Sequence, residues 1–287
     1  MTDLPAPPER ISILGTEIAT SVLEPETGNP AGDVVLCHGT PWSAETWLPV
    51  ARALARSFRV FLWDMPGYGR SIRGSDPPVD LVHQRHRLTA LIDHWDLDRP
   101  HVVADDIGGA VALGSHLLDG AAFASLYLLD VVALDPWGSP FFRLVSEHHE
   151  VFAALPENLH AALVREYISG ADGDTLTPAR VEELARPWCS PRGQVAFYRQ
   201  IAALTPDHTA PIVARLAETR CPVHIGWGAD DPWIPVAQAA ELAGRFPGQP
   251  GVTTFQGPAT SCSSRRRPNS LSTSGDGSGT CRADRPP

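Results

Sequence analysis

The sequence predicts an α/β fold, a mostly parallel sheet with helices on both faces, carrying one inserted helical segment. Three observations predict it. Short β-rich runs alternate with helix-length runs over the first half of the chain. One junction, Ala104-Asp105-Asp106-Ile107-Gly108-Gly109, joins a β-rich run to an Ala/Gly/Leu-rich helical run with no room for a loop. From Asp135 to about Thr219 the β-rich runs stop, and they resume at Pro222. At 287 residues the chain can hold one large domain plus such an insertion.

In chain order, Ile11 to Glu17 and Thr20 to Glu24 read as two strands linked at Ile18-Ala19, followed by a Pro/Gly-rich loop to Asp33. Val34 to Cys37 is a buried strand. Trp47, Val50, Ala51, Leu54 and Ala55 then fall on one helical face. Arg59 to Trp63 is the next strand and Leu81 to Trp95 the next helix. His101 to Ala104, the sharp junction and the helix Gly108 to Leu118 follow, and then an apolar strand from Leu126 to Leu134. Asp135-Pro136-Trp137-Gly138-Ser139-Pro140 breaks the alternation. Helices are expected at Phe141 to Ala154, Asn158 to Ile168, Ala179 to Ala185 and Gln194 to Leu204. Pro222 to Trp227, the helix Val236 to Phe246 and the strand Val252 to Phe255 complete the sheet. The domain expectation is a core over 1–134 and 220–257, a helical cap over 135–219, and a tail over 258–287. The tail holds seven Ser, five Arg and four Pro with scarcely any aliphatics, a composition of disorder.

Composition narrows the function classes. Five cysteines lie far apart with no CxxC spacing, which argues against a zinc site and a disulfide framework. The N-terminus has no apolar run of the signal-peptide kind, and nowhere do about 18 uninterrupted apolar residues occur. A cytoplasmic protein without a membrane segment is expected. The net charge of −10, with no basic face, makes nucleic acid an unsuitable partner. All 23 basic residues are Arg, as a GC-rich gene would give.

The chemistry centres on Asp106. Ala104 and Gly108 flank it in the pattern small-x-nucleophile-x-Gly, whose strained turn lifts one side chain clear of the backbone. An N-cap for the following helix is the alternative role. Two further motifs end the preceding parallel strands: His38-Gly39-Thr40-Pro41 and Asp64-Met65-Pro66-Gly67-Tyr68-Gly69-Arg70-Ser71. Together these three motifs resemble the α/β-hydrolase family, over roughly residues 10 to 257. Within it they are similar to the aspartate-nucleophile branch, which contains epoxide hydrolases and haloalkane dehalogenases.

The resemblance implies a set of roles. Asp106 would attack an electrophilic carbon to form an alkyl ester that water then cleaves. The backbone N–H groups of Thr40 and Ile107 would form the oxyanion hole. His38 would fix the Thr40 loop or simply satisfy buried backbone groups. The acid partner would be Asp231, in Gly228-Ala229-Asp230-Asp231-Pro232-Trp233-Ile234-Pro235, with Asp130 the second candidate. Tyr198, in Phe197-Tyr198-Arg199, and Tyr167 are candidates to protonate an epoxide oxygen; Trp42 is a further substrate-contact candidate. Ile107 stands where dehalogenases usually carry a halide-binding Trp, which favours the epoxide reading. The expected substrate is a small apolar organic molecule, with no metal or organic cofactor. A non-catalytic protein that binds an apolar ligand in the same pocket is the rival from another class.

One part of the pattern is missing. The family places its water-activating His just past the last strand, in a Gly-x-Gly-His stretch, but the last of the 11 histidines here is His224, before Asp231. A reading-frame shift after Gln256 would account for both the missing His and the tail. With G/C-ending codons, residues 256–261 read two bases out of frame can give Gly-Ala-Gly-His-Leu, and residues 264–270 Gln-Glu-Ala-Pro-Glu-Leu. The chain as written is therefore expected to be impaired.

Overall fold

A computed structural model describes residues 8–26, 28–73, 77–172 and 176–256. The expected tail at 258–287, and the shifted-frame reading of it, lie outside the described residues. Eight strands form one sheet: β1 Glu9–Ile13, β2 Thr16–Leu23, β3 Asp33–Cys37, β4 Arg59–Trp63, β5 His101–Asp105, β6 Ser125–Leu129, β7 Val223–Gly228 and β8 Val252–Phe255. Their order is β1-β2-β4-β3-β5-β6-β7-β8. The β1-β2 and β2-β4 pairs are antiparallel, and every pair from β4 to β8 is parallel.

Two strand boundaries differ from the sequence expectation. The first hairpin turns at Leu14-Gly15, not at Ile18-Ala19. Both turn residues have positive φ (50° and 72°), the two-residue geometry that matches strand twist, and Gly15 adopts it at no steric cost. Ile18 and Ala19 instead sit fully buried inside β2. The apolar run 126–134 is strand only to Leu129, because Asp130 takes φ 41° and turns the chain out of the ladder. Val131 to Leu134 stay buried but irregular, packed under the site. Apolarity alone does not separate the two states.

Helices α1 Leu48–Leu54, α2 Leu81–His94 and α3 Ile107–Leu117 connect the parallel strands. α1 covers one face, where Trp47, Leu48 and Ala51 pack on Val34, Leu36, Val60 and Leu62. α2 and α3 cover the other, where Leu88, Leu91 and Val111 belong to the core that contains Val35, Phe61, Val102 and Ala104. Between β6 and β7 lie α4 Pro140–Ala153, α5 Glu157–Ser169, α6 Pro178–Ala185, α7 Pro191–Ala202 and the one-turn α8 Ala210–Val213, with α9 Ala237–Ala243 following β7. Three of these begin alike. Ser139, Thr177 and Ser190 accept a hydrogen bond from an N–H of the first turn, and each is followed by proline, which suits the first helical position. Among the described residues no helix is long and apolar enough to cross a membrane.

Candidate active site

The C-terminal ends of β3, β5, β6 and β7 carry the site. Asp106 follows β5 with φ 51° and ψ −122°, a conformation that L residues rarely adopt. Neighbours impose it. A Cβ on Gly39 would lie 2.5 Å from the Asp106 Cβ, and one on Gly108 would lie 2.5 Å from the His38 carbonyl oxygen, so glycine at both positions lets the turn come against β3. The Asp106 backbone is tied on both sides, its N–H donating to Leu129 O (3.0 Å) and its carbonyl accepting from Gly109 N (3.0 Å) and Val132 N (3.1 Å).

Although Asp106 occupies the N-cap position of α3, its side chain makes no capping hydrogen bond. Oδ2 accepts instead from the backbone N of Thr40, 2.7 Å away across the crevice. The N–H of Ile107, next in the chain, also favours the ionised carboxylate. The two backbone donors expected to form an oxyanion hole therefore both act on Asp106. Burial pushes the Asp106 carboxyl up to about 7, against the opposing pull of these two N–H groups and with a smaller push from the charge of Asp231.

His38 serves both of the uses open to it, satisfying buried backbone groups and tying the loop beside Thr40. It is fully buried; Nδ1 donates to Gly39 O (2.8 Å) and Nε2 accepts from Met65 N (3.0 Å), the tautomer that satisfies both groups. Burial lowers its pKa, so it stays neutral. Asp64 anchors the same loops from below. Its oxygens accept from Ala44 N (2.7 Å) and from Arg70 N (2.8 Å) and Nε (3.1 Å).

Asp130 and Asp231 come together. Asp130 Oδ1 accepts from Gly228 N (2.8 Å), and Asp231 Oδ1 accepts from Trp233 N (2.7 Å) and Ile234 N (2.8 Å). The two carboxylates come close enough for each to act on the other, and burial is the main cause that raises both pKa values, that of Asp130 to about 8. Asp130 Oδ2 has no donor partner among the described residues, nor has Asp105 Oδ1. Asp105 is raised well above the usual carboxylate range by burial and then by the charges of Asp106, Asp130 and Asp231. Four carboxylates thus occupy one end of the sheet, yet among the described residues no group is arranged to hold a metal ion.

A cavity of about 30 Å³ opens on Asp106, lined among others by Thr40, Ile107, Val132, Trp137, Tyr167 and Trp233. A water needs roughly 10–15 Å³ by this measure, so the space suits a molecule of a few heavy atoms. The two candidate tyrosines separate here. Tyr167 lines the cavity, stacked on Trp233 with ring centroids 5.0 Å apart and planes at 8°. Tyr198 is not among the lining residues. It lies inside the helical insertion with its hydroxyl 2.8 Å from His160 Nδ1, and the other ring nitrogen donates to Trp188 O (3.0 Å). The aromatic-Tyr-Arg stretch that pointed to Tyr198 therefore marks a packing position of α7. Trp42 is buried behind Trp233 (centroids 6.5 Å) and does not line the cavity. Trp137 and Val132 lay outside the expected set, because no sequence signal distinguishes a lining residue of an irregular loop from an ordinary core residue.

Comparison with known proteins agrees with this architecture. The model of the alpha/beta hydrolase family matches residues 34–257. A protein of Caulobacter sp. (strain K31) named carbamate hydrolase RutD is 30% identical over 228 residues, which covers 77% of this chain and 82% of that protein. The 2-hydroxy-6-oxononadienedioate/2-hydroxy-6-oxononatrienedioate hydrolase of Cupriavidus pinatubonensis (strain JMP 134 / LMG 1197) is 27% identical over 237 residues, 77% of this chain and 78% of that protein. Among solved structures, an alpha/beta hydrolase fold protein from Burkholderia ambifaria shares 39% identity with a TM-score of 0.83, covering 88% of this chain and 92% of that one. A haloalkane dehalogenase variant from Bradyrhizobium elkanii, at 19% identity and TM-score 0.69 over 89% and 91% of the two chains, shares the fold.

Proposed function

Because the chain belongs to the alpha/beta hydrolase family, we propose that Asp106 is its nucleophile and that the substrate is a small apolar electrophile with a reactive sp³ carbon, an epoxide first and a haloalkane second. The observation that carries this reading is the Asp106 carboxylate itself: held at the strained turn after β5, hydrogen-bonded by Thr40 N at 2.7 Å and facing an apolar-lined cavity. A carboxylate that attacks an acyl carbon gives a mixed anhydride, more reactive than the carbamate or ester it came from. Attack on an sp³ carbon gives a stable ester. The carbamate named for the Caulobacter relative is for this reason not carried over.

With an epoxide, the free Asp106 oxygen bonds the ring carbon, the ring C–O bond breaks, and its electron pair remains on the ring oxygen. Tyr167 is the residue placed to give that oxygen a proton, since burial, followed by nearby negative charge, keeps the phenol protonated. With a haloalkane, the leaving halide would need N–H donors. Ile107 supplies none from its side chain and the Trp137 indole N–H is engaged by Thr209 Oγ1 (3.3 Å), which leaves the Trp233 indole as the lining N–H that could meet a halide; the epoxide stands first because the Tyr167 hydroxyl faces the same cavity.

The cleavage of the ester is less well provided for. Among the described residues, none that lines the cavity is a histidine, and His38 has both nitrogens committed to backbone. Capture of the electrophile without ready release is the behaviour that these residues support. The test is intact-mass spectrometry after incubation with a small epoxide or alkyl halide. One adduct that maps to Asp106 is expected; an unmodified chain that still binds the compound would establish the ligand-binding alternative.

A further inference from the structure

The loop that carries the Thr40 N–H is held from above by the helical insertion. Gln200, on α7, is wholly buried, and its Oε1 accepts from Thr40 Oγ1 (3.0 Å) and from the Tyr68 hydroxyl (2.7 Å). One residue along, Trp188 Nε1, from the α6–α7 turn, donates to Pro41 O (3.0 Å). The Thr40–Pro41 step is thus tethered to the insertion at two adjacent points, while the Thr40 backbone N–H on its other side donates to Asp106.

Gln200 is a costly choice for packing alone. Its Nε2 has no partner among the described residues, and a buried amide with an unpaired N–H₂ is worse for stability than an apolar side chain of the same shape. Gln194, six residues earlier on the same helix, shows the contrast, since its Nε2 donates to Ala153 O (2.9 Å) and Leu155 O (2.7 Å) within the insertion. The useful half of Gln200 is the oxygen, and that oxygen faces out of the insertion toward the core loop.

We infer that Gln200 is a positioning residue for the Asp106 nucleophile, acting through the Thr40 side chain to hold the Thr40 N–H on the carboxylate. Site assembly then depends on the insertion being seated on the core. This inference rests on the nucleophile reading for its kinetic consequence, though not for its structural one. Loosening Thr40 weakens a donor that stabilises the ionised carboxylate, so Asp106 holds its proton to higher pH and attacks more slowly.

The test compares Gln200→Leu, Thr40→Val and Thr40→Ser with the parent. Three quantities are read: hydrogen exchange of the Thr40 amide by NMR, the titration midpoint of Asp106 by carboxyl NMR, and the rate and half-saturation of epoxide labelling by mass spectrometry. Gln200→Leu and Thr40→Val should each speed amide exchange and slow labelling by about tenfold, raise the midpoint, and leave half-saturation unchanged. Thr40→Ser, which keeps the hydroxyl, should exchange more slowly and titrate lower than Thr40→Val, and the Gln200→Leu/Thr40→Val double variant should be no worse than either single one. Unchanged exchange and midpoint in Gln200→Leu would overturn the inference. If that variant does not fold, equal behaviour of Thr40→Val and Thr40→Ser overturns it instead. A parent that is never labelled, but whose exchange and midpoint respond as expected, would refute the nucleophile reading and leave the positioning role standing.

Discussion

The two halves of the site differ in how far they are finished. On the β5 side the groups that the proposed attack calls for lie together: a carboxylate at a strained turn, the Thr40 N–H on it, and a neutral His38 and a Gln200 amide holding the donor loop. On the β6–β7 side two carboxylates come near each other, each accepting from backbone N–H groups, and among the described residues no basic side chain is bonded to either. Both halves are anchored to the same sheet, so the difference is not one of folding. A nucleophile can be set by local backbone geometry, whereas a base for water must be delivered from a separate segment, and among the described residues none delivers it.

The sharpest way to break this comparison is at Asp106. Asp106→Asn should abolish covalent labelling, since an amide is a far poorer nucleophile than a carboxylate; labelling at the parental rate by intact mass would move the nucleophile elsewhere. The next effect concerns release. General-base catalysis is worth roughly 10² to 10⁴ in rate, so the 287-residue chain should give at most about one equivalent of product in a burst and then stop. A chain repaired by the shifted frame after Gln256 should turn over steadily. Sustained turnover by the unrepaired chain would mean that the β6–β7 half is complete after all.

A third effect follows from protons. Labelling should rise with pH about tenfold per unit below a midpoint near 7, because only ionised Asp106 attacks; a flat profile between pH 5 and 8 would show an ordinary carboxylate. For stability the sign is the reverse. Asp105, Asp106, Asp130 and Asp231 are all raised in the folded state, so the fold keeps protons that the unfolded chain releases near pH 4. The melting temperature should therefore be higher at pH 5 than at pH 8, the loss running from about pH 4 up through the folded values. Asp130→Asn, which retains an acceptor for Gly228 N and adds a donor toward Asp231, should raise it at pH 8 by about 2–4 °C, the equivalent of roughly 1 kcal/mol in a chain of this size. Calorimetry at both pH values checks this.

The smallest effects separate the tyrosines. Tyr167→Phe should slow labelling by an epoxide and spare an alkyl halide, since only the epoxide develops an alkoxide that needs a donor. Tyr198→Phe should leave both rates alone and cost about 1 kcal/mol of stability through the lost bond with His160. Equal kinetic effects of the two substitutions would return Tyr198 to the site.

The sequence carried the sheet and the turn at Asp106 clearly, because both are written in local pattern: four buried residues and a flanking glycine specify a parallel strand and a tight exit. Its silence begins where geometry depends on distant partners. Nothing near residue 200 reveals that this glutamine reaches Thr40, 160 positions away. Tyr198 looked the better proton donor because it sits in a suggestive tripeptide, but helix rotation, which a tripeptide does not encode, turned it toward His160. Asp130 and Asp231 were weighed as alternatives when the fold brings them together, since strand order is needed to see that β6 and β7 are neighbours.

The backbone at the elbow asks nothing of the carboxylate that it presents. Its shape is imposed by Gly39, Gly108 and the ties to Leu129 and Val132, while the side chain caps no helix. The side chain at position 106 is therefore a fitting in a fixed socket: a substitution that keeps its size should leave the turn standing, and what changes is which chemistry its neighbours can use.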